Sequence, residues 1–112
     1  MRAPRLNRKL VLEGASRVSD GAGGYDLVWT ALGTLWAEVK AGAGREAEMA
    51  DITVGEARYR ITVRAAPHGA PSRPVPGQRF REGGRLWRIL AVTDADAQAR
   101  YLICHAVEEV VA

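Results

Sequence analysis

Short stretches of alternating apolar and polar residues, separated by glycine and proline, run along most of this chain. The clearest stretch lies at residues 58–65. One side of it would carry Arg58, Arg60, Thr62 and Arg64, and the other Tyr59, Ile61, Val63 and Ala65. Because successive side chains of a β-strand point to opposite faces, this pattern predicts a strand with a basic comb on one face and apolar residues on the other.

The same alternation predicts further strands before and after the comb. Glycine-rich segments at residues 19–24 and 83–84 supply a loop and a tight turn, and Gly33 interrupts one long apolar stretch. The predicted strands are residues 9–18, 25–40 (as two strands or one bent strand), 58–65, 78–80, 85–93 and 101–107.

Two segments depart from this pattern. Residues 45–54 contain helix-forming residues with Met49 and Ile52 one turn apart, which predicts one short helix. Residues 67–77 contain four prolines and two glycines, which predicts an exposed, mobile loop. About six short strands with one short α-helix predict a mainly β protein, folded as a small antiparallel β-barrel or sandwich.

Length and composition are those of a single globular domain. The 112 residues suffice for one modest core, with residues 1–9 as a flexible basic N-terminal arm and residues 10–112 as the domain. The apolar content is 47%, yet no apolar run is long enough to cross a bilayer, so we expect a soluble protein without a membrane partner. The single cysteine, Cys104, excludes an internal disulfide.

Charge is segregated along the chain although the net charge is only +3. Residues 1–10 carry +4, 11–57 carry −5, 58–88 carry +7 and 89–112 carry −3. Such segregation suits contact between the basic segments and nucleic acid, or docking of the basic surface of one subunit against the acidic surface of an identical one. Composition alone does not choose between these two.

Catalytic and metal-binding patterns are nearly absent. Cys104 and His105 are neighbours on a predicted strand and would face opposite ways, so they do not form a nucleophile and base pair. His68 is too remote in sequence to complete a short-spaced ligand pair, and the turn at Asp94 and Asp96 lacks the glycine and glutamate of a calcium loop. We therefore expect no enzyme, no metal and no cofactor.

An ordered set of motifs along residues 8–108 carries a resemblance. The motifs are Asp20-Gly21-Ala22-Gly23-Gly24, Trp29, Leu35-Trp36-Ala37-Glu38-Val39, Gly44-Arg45-Glu46, Arg60-Ile61-Thr62-Val63-Arg64, Gly83-Gly84-Arg85-Leu86-Trp87-Arg88-Ile89 and Leu102-Ile103-Cys104. In this order they resemble the head–tail joining proteins of tailed bacteriophages, also called head-closure, stopper or head–tail adaptor proteins.

The resemblance implies a structural role in the neck of a virion. It implies a small β-barrel with one helix that assembles into a ring, a hexamer or dodecamer, with the portal-adaptor ring above it and the tail terminator or tail tube below. Double-stranded DNA would pass through the lumen, and the ring would close the filled head and offer a platform for the tail. Gene transfer agents use the same part. Such a protein is made in the bacterial cytoplasm and ends up in the neck of the particle.

Four groups of residues are the candidate sites within this interpretation. A loop able to line and gate the DNA channel holds His68, Arg73 and Gln78; a basic face for subunit or DNA contact holds Arg58, Arg60 and Arg64; a docking loop holds Asp20, Gly21, Gly23 and Gly24; and the possible interface aromatics are Trp36 and Trp87. Each group also has a purely structural interpretation: a surface loop, a solvated strand face, a turn, and core aromatic residues. The expected core aromatics are Trp29, Trp36, Trp87, Phe80 and Tyr59.

A free-standing nucleic-acid-binding β-barrel is the alternative function. It would use the same arginines on a monomer, and it would interleave aromatic with basic side chains on an exposed strand face. Tyr59 is predicted to lie opposite the comb. This placement counts against the alternative.

Overall fold

Six antiparallel strands make up the regular structure of the described part of the chain. The computed structural model describes residues 3–42 and 57–109, and no helix occurs among them. The strands are β1 (Arg8–Ser19), β2 (Tyr25–Ala41), β3 (Ala57–Arg64), β4 (Arg79–Glu82), β5 (Arg85–Asp94) and β6 (Tyr101–Glu109). The predicted helix at residues 45–54 lies outside the described residues. The prediction of a mainly β fold is confirmed.

The strands close on themselves in the order β1-β2-β3-β6-β5-β4. Closure depends on the pairing of β4 with β1, where Val11 lies opposite Arg81 and Leu12 opposite Phe80. The other pairs form long ladders, among them the eight-residue register between β3 and β6. Of the two predicted architectures, a small barrel or a sandwich, the chain therefore forms the barrel, whose closed sheet leaves no long open edge around the core.

Alternate residues of each strand fill the barrel. Ile61 and Val63 of β3 are fully buried, whereas Arg60 and Arg64 on the other face are exposed, so the predicted comb is confirmed. The core cluster is Leu10, Leu12, Ala37, Ile61, Val63, Phe80, Trp87, Ile89, Leu102, Cys104 and Ala106. It draws on all six strands, which is why the domain has one core.

Strands β1 and β2 are much longer than the barrel is tall. Strand β4 pairs with β1 only at Val11–Glu13, and β3 pairs with β2 only at Ala37–Ala41. The β1–β2 pairing nevertheless continues to Ser19 and Tyr25, with a bulge where the register shifts between Leu12 and Glu13. Residues 14–31 therefore form a two-stranded ribbon that projects from one end of the barrel, consistent with a long dimension of 52 Å against 33 and 24 Å.

The end of the barrel opposite the ribbon is closed by charged pairs over an aromatic residue. Arg8 donates a hydrogen bond from Nε to Glu82 at 3.2 Å, and Arg85 donates from Nε to Glu108 at 2.8 Å. Both guanidinium groups lie over the Trp87 ring, Arg85 at 4.7 Å and Arg8 at 5.7 Å from its centroid. We call this arrangement the rim; it removes the large Trp87 ring from solvent at an end where no strand can cover it.

The predicted core aromatics divide between the interior and the surface. Phe80 and Trp87 are fully buried, as predicted, but Trp36 is 55% exposed. Trp36 pairs with Lys9 and alternates with the inward-facing Leu35 and Ala37, so the strand register places it on the outer face. The prediction that Trp36 belongs to the core is therefore wrong.

Candidate assembly surfaces

The basic comb is part of a wider basic face built from neighbouring strands. Arg60 lies opposite Lys40 of β2 on one side and His105 of β6 on the other. The row places three basic or ionisable side chains side by side on the outside of the barrel. Arg58 differs from the exposed arginines, because it is half-buried and its Nη1 has no hydrogen-bond partner among the described residues.

Aromatic side chains lie within this basic face. The Lys9 ammonium is 5.7 Å from the centroid of the Trp36 ring, and the Arg64 guanidinium is 5.5 Å from that of Tyr101, its partner across β6. We define the basic face by its basic and aromatic side chains, among which the carboxylate of Glu38 lies 3.6 Å from the Lys40 ammonium: Lys9, Trp36, Lys40, Arg60, Arg64, Tyr101 and His105. Tyr59 does lie opposite the comb and packs against the core, as predicted, whereas the aromatic residues of the basic face come from the neighbouring strands β2 and β6.

A shallow pocket of about 290 Å³ opens on the same side of the barrel. Its lining includes Pro4, Glu38 and Arg60, and Glu38 accepts a hydrogen bond from the backbone N–H of Arg5 at 2.8 Å. Part of the predicted N-terminal arm therefore lies against the barrel, and β1 begins at Arg8. The pocket is open and mixed in polarity, which suits a surface contact better than enclosure of a small substrate.

The ribbon exposes large apolar side chains on both of its faces. Its outer face carries Tyr25 and Leu27, which are 67% and 60% exposed, and the face that continues the barrel interior carries Val18 and Val28, at 47% and 44%. These residues lie within the predicted strands at residues 9–18 and 25–40, but the sequence gives no indication of a function for them. The length of these two strands was the one available signal. Both exceed the typical five or six residues, so they extend beyond the shorter strands that pair with them.

Residues at the base of the ribbon hold it to the barrel. Glu13 accepts hydrogen bonds from Arg79 at 2.7 Å and from Arg81 at 2.9 Å. Burial acts to raise the pKa of Glu13, but the hydrogen bonds from Arg81 and Arg79 outweigh it and hold the pKa below its usual value. The Arg79 guanidinium also stacks over Trp29 of the ribbon at 4.0 Å. This ion network was not predicted from the sequence, because its members lie 66 and 68 positions apart.

The predicted docking loop forms the tip of the ribbon. Asp20 accepts hydrogen bonds from the backbone N–H groups of Ala22 at 2.8 Å and Gly24 at 3.0 Å, and these bonds lower its pKa. Gly21 and Gly23 adopt φ of 79° and 86°, values that favour glycine. The structure thus places Asp20, Gly21, Gly23 and Gly24 in one ordered turn, at the point of the molecule farthest along the ribbon.

The proline-rich loop carries fixed contacts. Arg73 donates from Nη1 to the carbonyl oxygen of Ala66 at 2.7 Å, and the Gln78 side chain accepts from the N–H of Val75 at 3.0 Å. Pro74 is fully buried. The loop predicted to be exposed and mobile is therefore held by these contacts, while its role at a DNA channel stays a prediction. Of its three candidate residues, His68 alone has an exposed side chain.

Trp87 does not belong to any exposed surface. Its ring is fully buried between Tyr59, at a centroid distance of 6.0 Å, and the arginines of the rim. A fully buried side chain offers no area to a neighbouring subunit, so Trp87 is corrected from a possible interface aromatic to a core residue. Trp36 keeps the exposure that such a contact requires.

The candidate catalytic residues occupy structural positions. Cys104 is buried in the core, and burial raises its pKa to about 12. His105 faces outward, where its Nε2 lies 3.1 Å from the Thr93 hydroxyl. Asp96 accepts hydrogen bonds from the backbone N–H and the guanidinium of Arg100 and so orders the β5–β6 turn. Residues 3–42 and 57–109 contain no group of three or more His, Cys, Asp or Glu able to hold a metal ion, and no helix of membrane-spanning length and apolarity.

The described residues form a closed six-stranded barrel with a projecting ribbon and a basic outer face. The chain matches the family model for the phage head completion protein over residues 1–109. It therefore belongs to the phage head completion protein family, which confirms the resemblance found in the sequence.

The solved structures that are similar to this chain include the following two. A chain of the virion of a native gene transfer agent particle is 55% identical over 98% of this chain and all of that one, with a TM-score of 0.79. The solution structure of protein SF1141 from Shigella flexneri 2a is 22% identical over the full length of both, with a TM-score of 0.71, and shows a shared fold. A comparison with curated proteins found no match.

Proposed function

We propose that this protein is a structural component of a phage-like particle, either an infectious phage or a gene transfer agent, that closes the DNA-filled head at its neck. The observation that carries this proposal is the 55% identity, over 98% of the chain, to a chain of a native gene transfer agent virion. Membership of the phage head completion family supports the same role. A ring, a tail platform and a DNA channel are the finer elements of this proposal.

Two unlike surfaces on the subunit support the formation of a ring. A closed ring of identical subunits requires one patch to bind a different patch of the next copy. The barrel offers a basic face on its side and a ribbon with exposed apolar residues at its end. These two surfaces cannot meet within one subunit, because the ribbon projects away from the barrel, and they support a ring. We propose a hexamer or dodecamer with the portal adaptor above it and the tail below.

DNA passing through the lumen would meet basic side chains that bind phosphate without reading sequence. The predicted channel residues are His68, Arg73 and Gln78. His68 is exposed and free to face DNA, whereas Arg73 and Gln78 hold the loop in shape. In this proposal the loop contributes a fixed projection toward the lumen.

Deletion of the gene tests the role. We expect particles to separate into tailless heads that have lost their DNA and free tails, as seen by electron microscopy of lysates. A plasmid copy of the wild-type gene should restore complete particles. Normal, infectious or DNA-transferring particles in the deletion strain would refute the proposal.

One specific observation favours the alternative function, a free-standing nucleic-acid-binding β-barrel. The basic face interleaves Trp36 and Tyr101 with Lys9 and Arg64, which is the arrangement expected of a single-strand-binding surface. Fluorescence anisotropy of the purified protein with single- and double-stranded oligonucleotides distinguishes the two functions. Tight, salt-dependent binding to a single strand that is lost in Trp36→Ala would favour the alternative.

A further inference from the structure

We propose that the ribbon of each subunit packs across the basic face of the neighbouring copy, at the end of that face formed by Trp36 and Arg64. This inference rests on the proposed ring and names the two surfaces that build it. The ribbon is incompletely buried within its own subunit. Two-stranded hairpins are marginally stable on their own, and this one exposes Val18, Tyr25, Leu27 and Val28. Exposed apolar groups of this size mark a surface that another protein covers.

The ribbon is nevertheless ordered before it meets a partner. Its register is continuous from Gly14 and Thr30 to Ser19 and Tyr25. The Asp20 turn closes the tip, and the Glu13 pair with Arg79 and Arg81 fixes the base. A projecting element held in one shape loses little conformational entropy on docking, so its exposed residues contribute to binding and not to its own folding.

Charge indicates which surface receives the ribbon. Val18 and Asp26 lie directly opposite each other, and Val28 is two residues from Asp26 along β2 on the same face. Asp26 forms no hydrogen bond or ion pair within the described residues. On the basic face, Arg64 likewise has no carboxylate partner among the described residues. Arg64 lies beside the exposed Trp36, because these two residues follow the paired Val63 and Ala37 in the β2–β3 register.

The two patches therefore match in kind: an acid between two valines, and an arginine beside a tryptophan. An ion pair at the edge of an apolar contact fixes register and excludes wrong partners more than it adds affinity. The occupant is a second copy because the contact joins unlike patches of one chain, which propagates around a ring. Pairing of two ribbons would instead bring Asp26 and Asp20 of both copies together.

Cysteine crosslinking within purified particles tests this geometry. The chain has one cysteine, which is buried and has a raised pKa, so engineered cysteines provide the reactive thiols of this chain. Val28→Cys places one on the ribbon, and Thr34→Cys places one on the outer face of β2 near Trp36. Within one subunit these positions are about 20 Å apart along the strand, too far for a disulfide.

With both substitutions, oxidation or a short bismaleimide should give a covalent ladder that extends beyond dimers, while either single variant should stay monomeric. Dimers from Val28→Cys alone would mean ribbon-to-ribbon pairing and would overturn the proposal. So would a crosslink from Val28→Cys to a different particle protein, or no crosslink in particles that contain the chain. Particles found by mass spectrometry to lack the chain would overturn the proposed function itself, and with it the contact.

Charge reversal supplies a second measurement for variants that assemble poorly. Asp26→Arg and Arg64→Asp should each reduce particle yield by roughly tenfold or more, and the double variant should recover most of it. Arg17→Glu reverses a charge on the other face of the same ribbon and serves as the matched control with near wild-type yield. Losses in the double variant as large as in the singles would overturn the pairing of Asp26 with Arg64.

Discussion

The rim and the ribbon, at opposite ends of the barrel, treat their large apolar residues in opposite ways. At the rim, Trp87 is fully buried beneath two arginines, each of which is paired with a glutamate. On the ribbon, Tyr25 and Leu27 remain more than half exposed. The rim completes the fold of one subunit, whereas the ribbon keeps large apolar side chains at the surface of the subunit. The same residue types therefore serve stability at one end and, in the proposed assembly, association at the other.

The sharpest test of this contrast compares Trp87→Ala with Leu27→Ala. Removing the buried Trp87 ring should lower the free energy of unfolding by about 3–5 kcal/mol, because the transfer energy is lost and a cavity remains. Removing the 60% exposed Leu27 side chain should change it by less than about 0.5 kcal/mol. Urea denaturation followed by circular dichroism measures both. Equal losses would mean that the ribbon is part of the core.

At the base of the ribbon, Glu13 provides the next largest effect. Glu13→Gln removes the charge that holds Arg79 and Arg81, whose Nε atoms lie 2.7 and 2.9 Å from its oxygens, and should cost about 1–3 kcal/mol of unfolding free energy. The control is Glu109→Gln, since Glu109 is 35% exposed and lies 3.7 Å from Arg88. Its cost should fall below about 1 kcal/mol. A smaller loss for Glu13 than for Glu109 would contradict the network.

Acid should weaken the rim and the base of the ribbon together. Hydrogen bonds from Arg8 to Glu82 and from Arg85 to Glu108 hold the pKa of each carboxyl below its usual value, as the two arginines do for Glu13. Because the unfolded chain binds these protons at higher pH than the folded one, the stabilisation is complete above about pH 4.5 and is lost as pH falls below it.

Urea denaturation from pH 7 to pH 3 checks this sign. The unfolding free energy should stay level down to about pH 5 and then decline. The decline should be shallower in Glu13→Gln, which has one titrating carboxyl fewer. A rise in stability toward pH 3 would show that these carboxyl groups are not held in their charged form.

The sequence predicted what depends on local alternation and missed what depends on distant partners. The phase of β3 was visible in residues 58–65, and the structure confirms it. Trp36 was assigned to the core by its size, although its alternation with Leu35 and Ala37 already placed it outside. The large apolar area of a tryptophan favours burial, but it does not tell whether the core of the subunit or a neighbouring protein buries the side chain.

The base network and the mixed basic face could not be predicted, because each joins strands far apart in sequence. Arg79 and Arg81 meet Glu13 only because β4 closes the barrel onto β1. Tyr101 meets Arg64 only through the β3–β6 register. The alternation of apolar and polar residues along one strand indicates which face of the sheet a side chain lies on. The order of the strands in the barrel decides which other side chains lie on the same face.

The smallest expected effect lies at the ribbon tip and separates local from global order. Asp20→Ala removes the acceptor that orders the backbone N–H groups of Ala22 and Gly24. Since this carboxylate is at the far end of the ribbon, the free energy of global unfolding should not change measurably. Amide hydrogen exchange at Ala22 and Gly24 should become faster, while exchange at Ile61 and Val63 in the barrel stays as slow as in the wild type. Faster exchange throughout the barrel would show that the ribbon and the core unfold as one unit, and the division drawn between them would be lost.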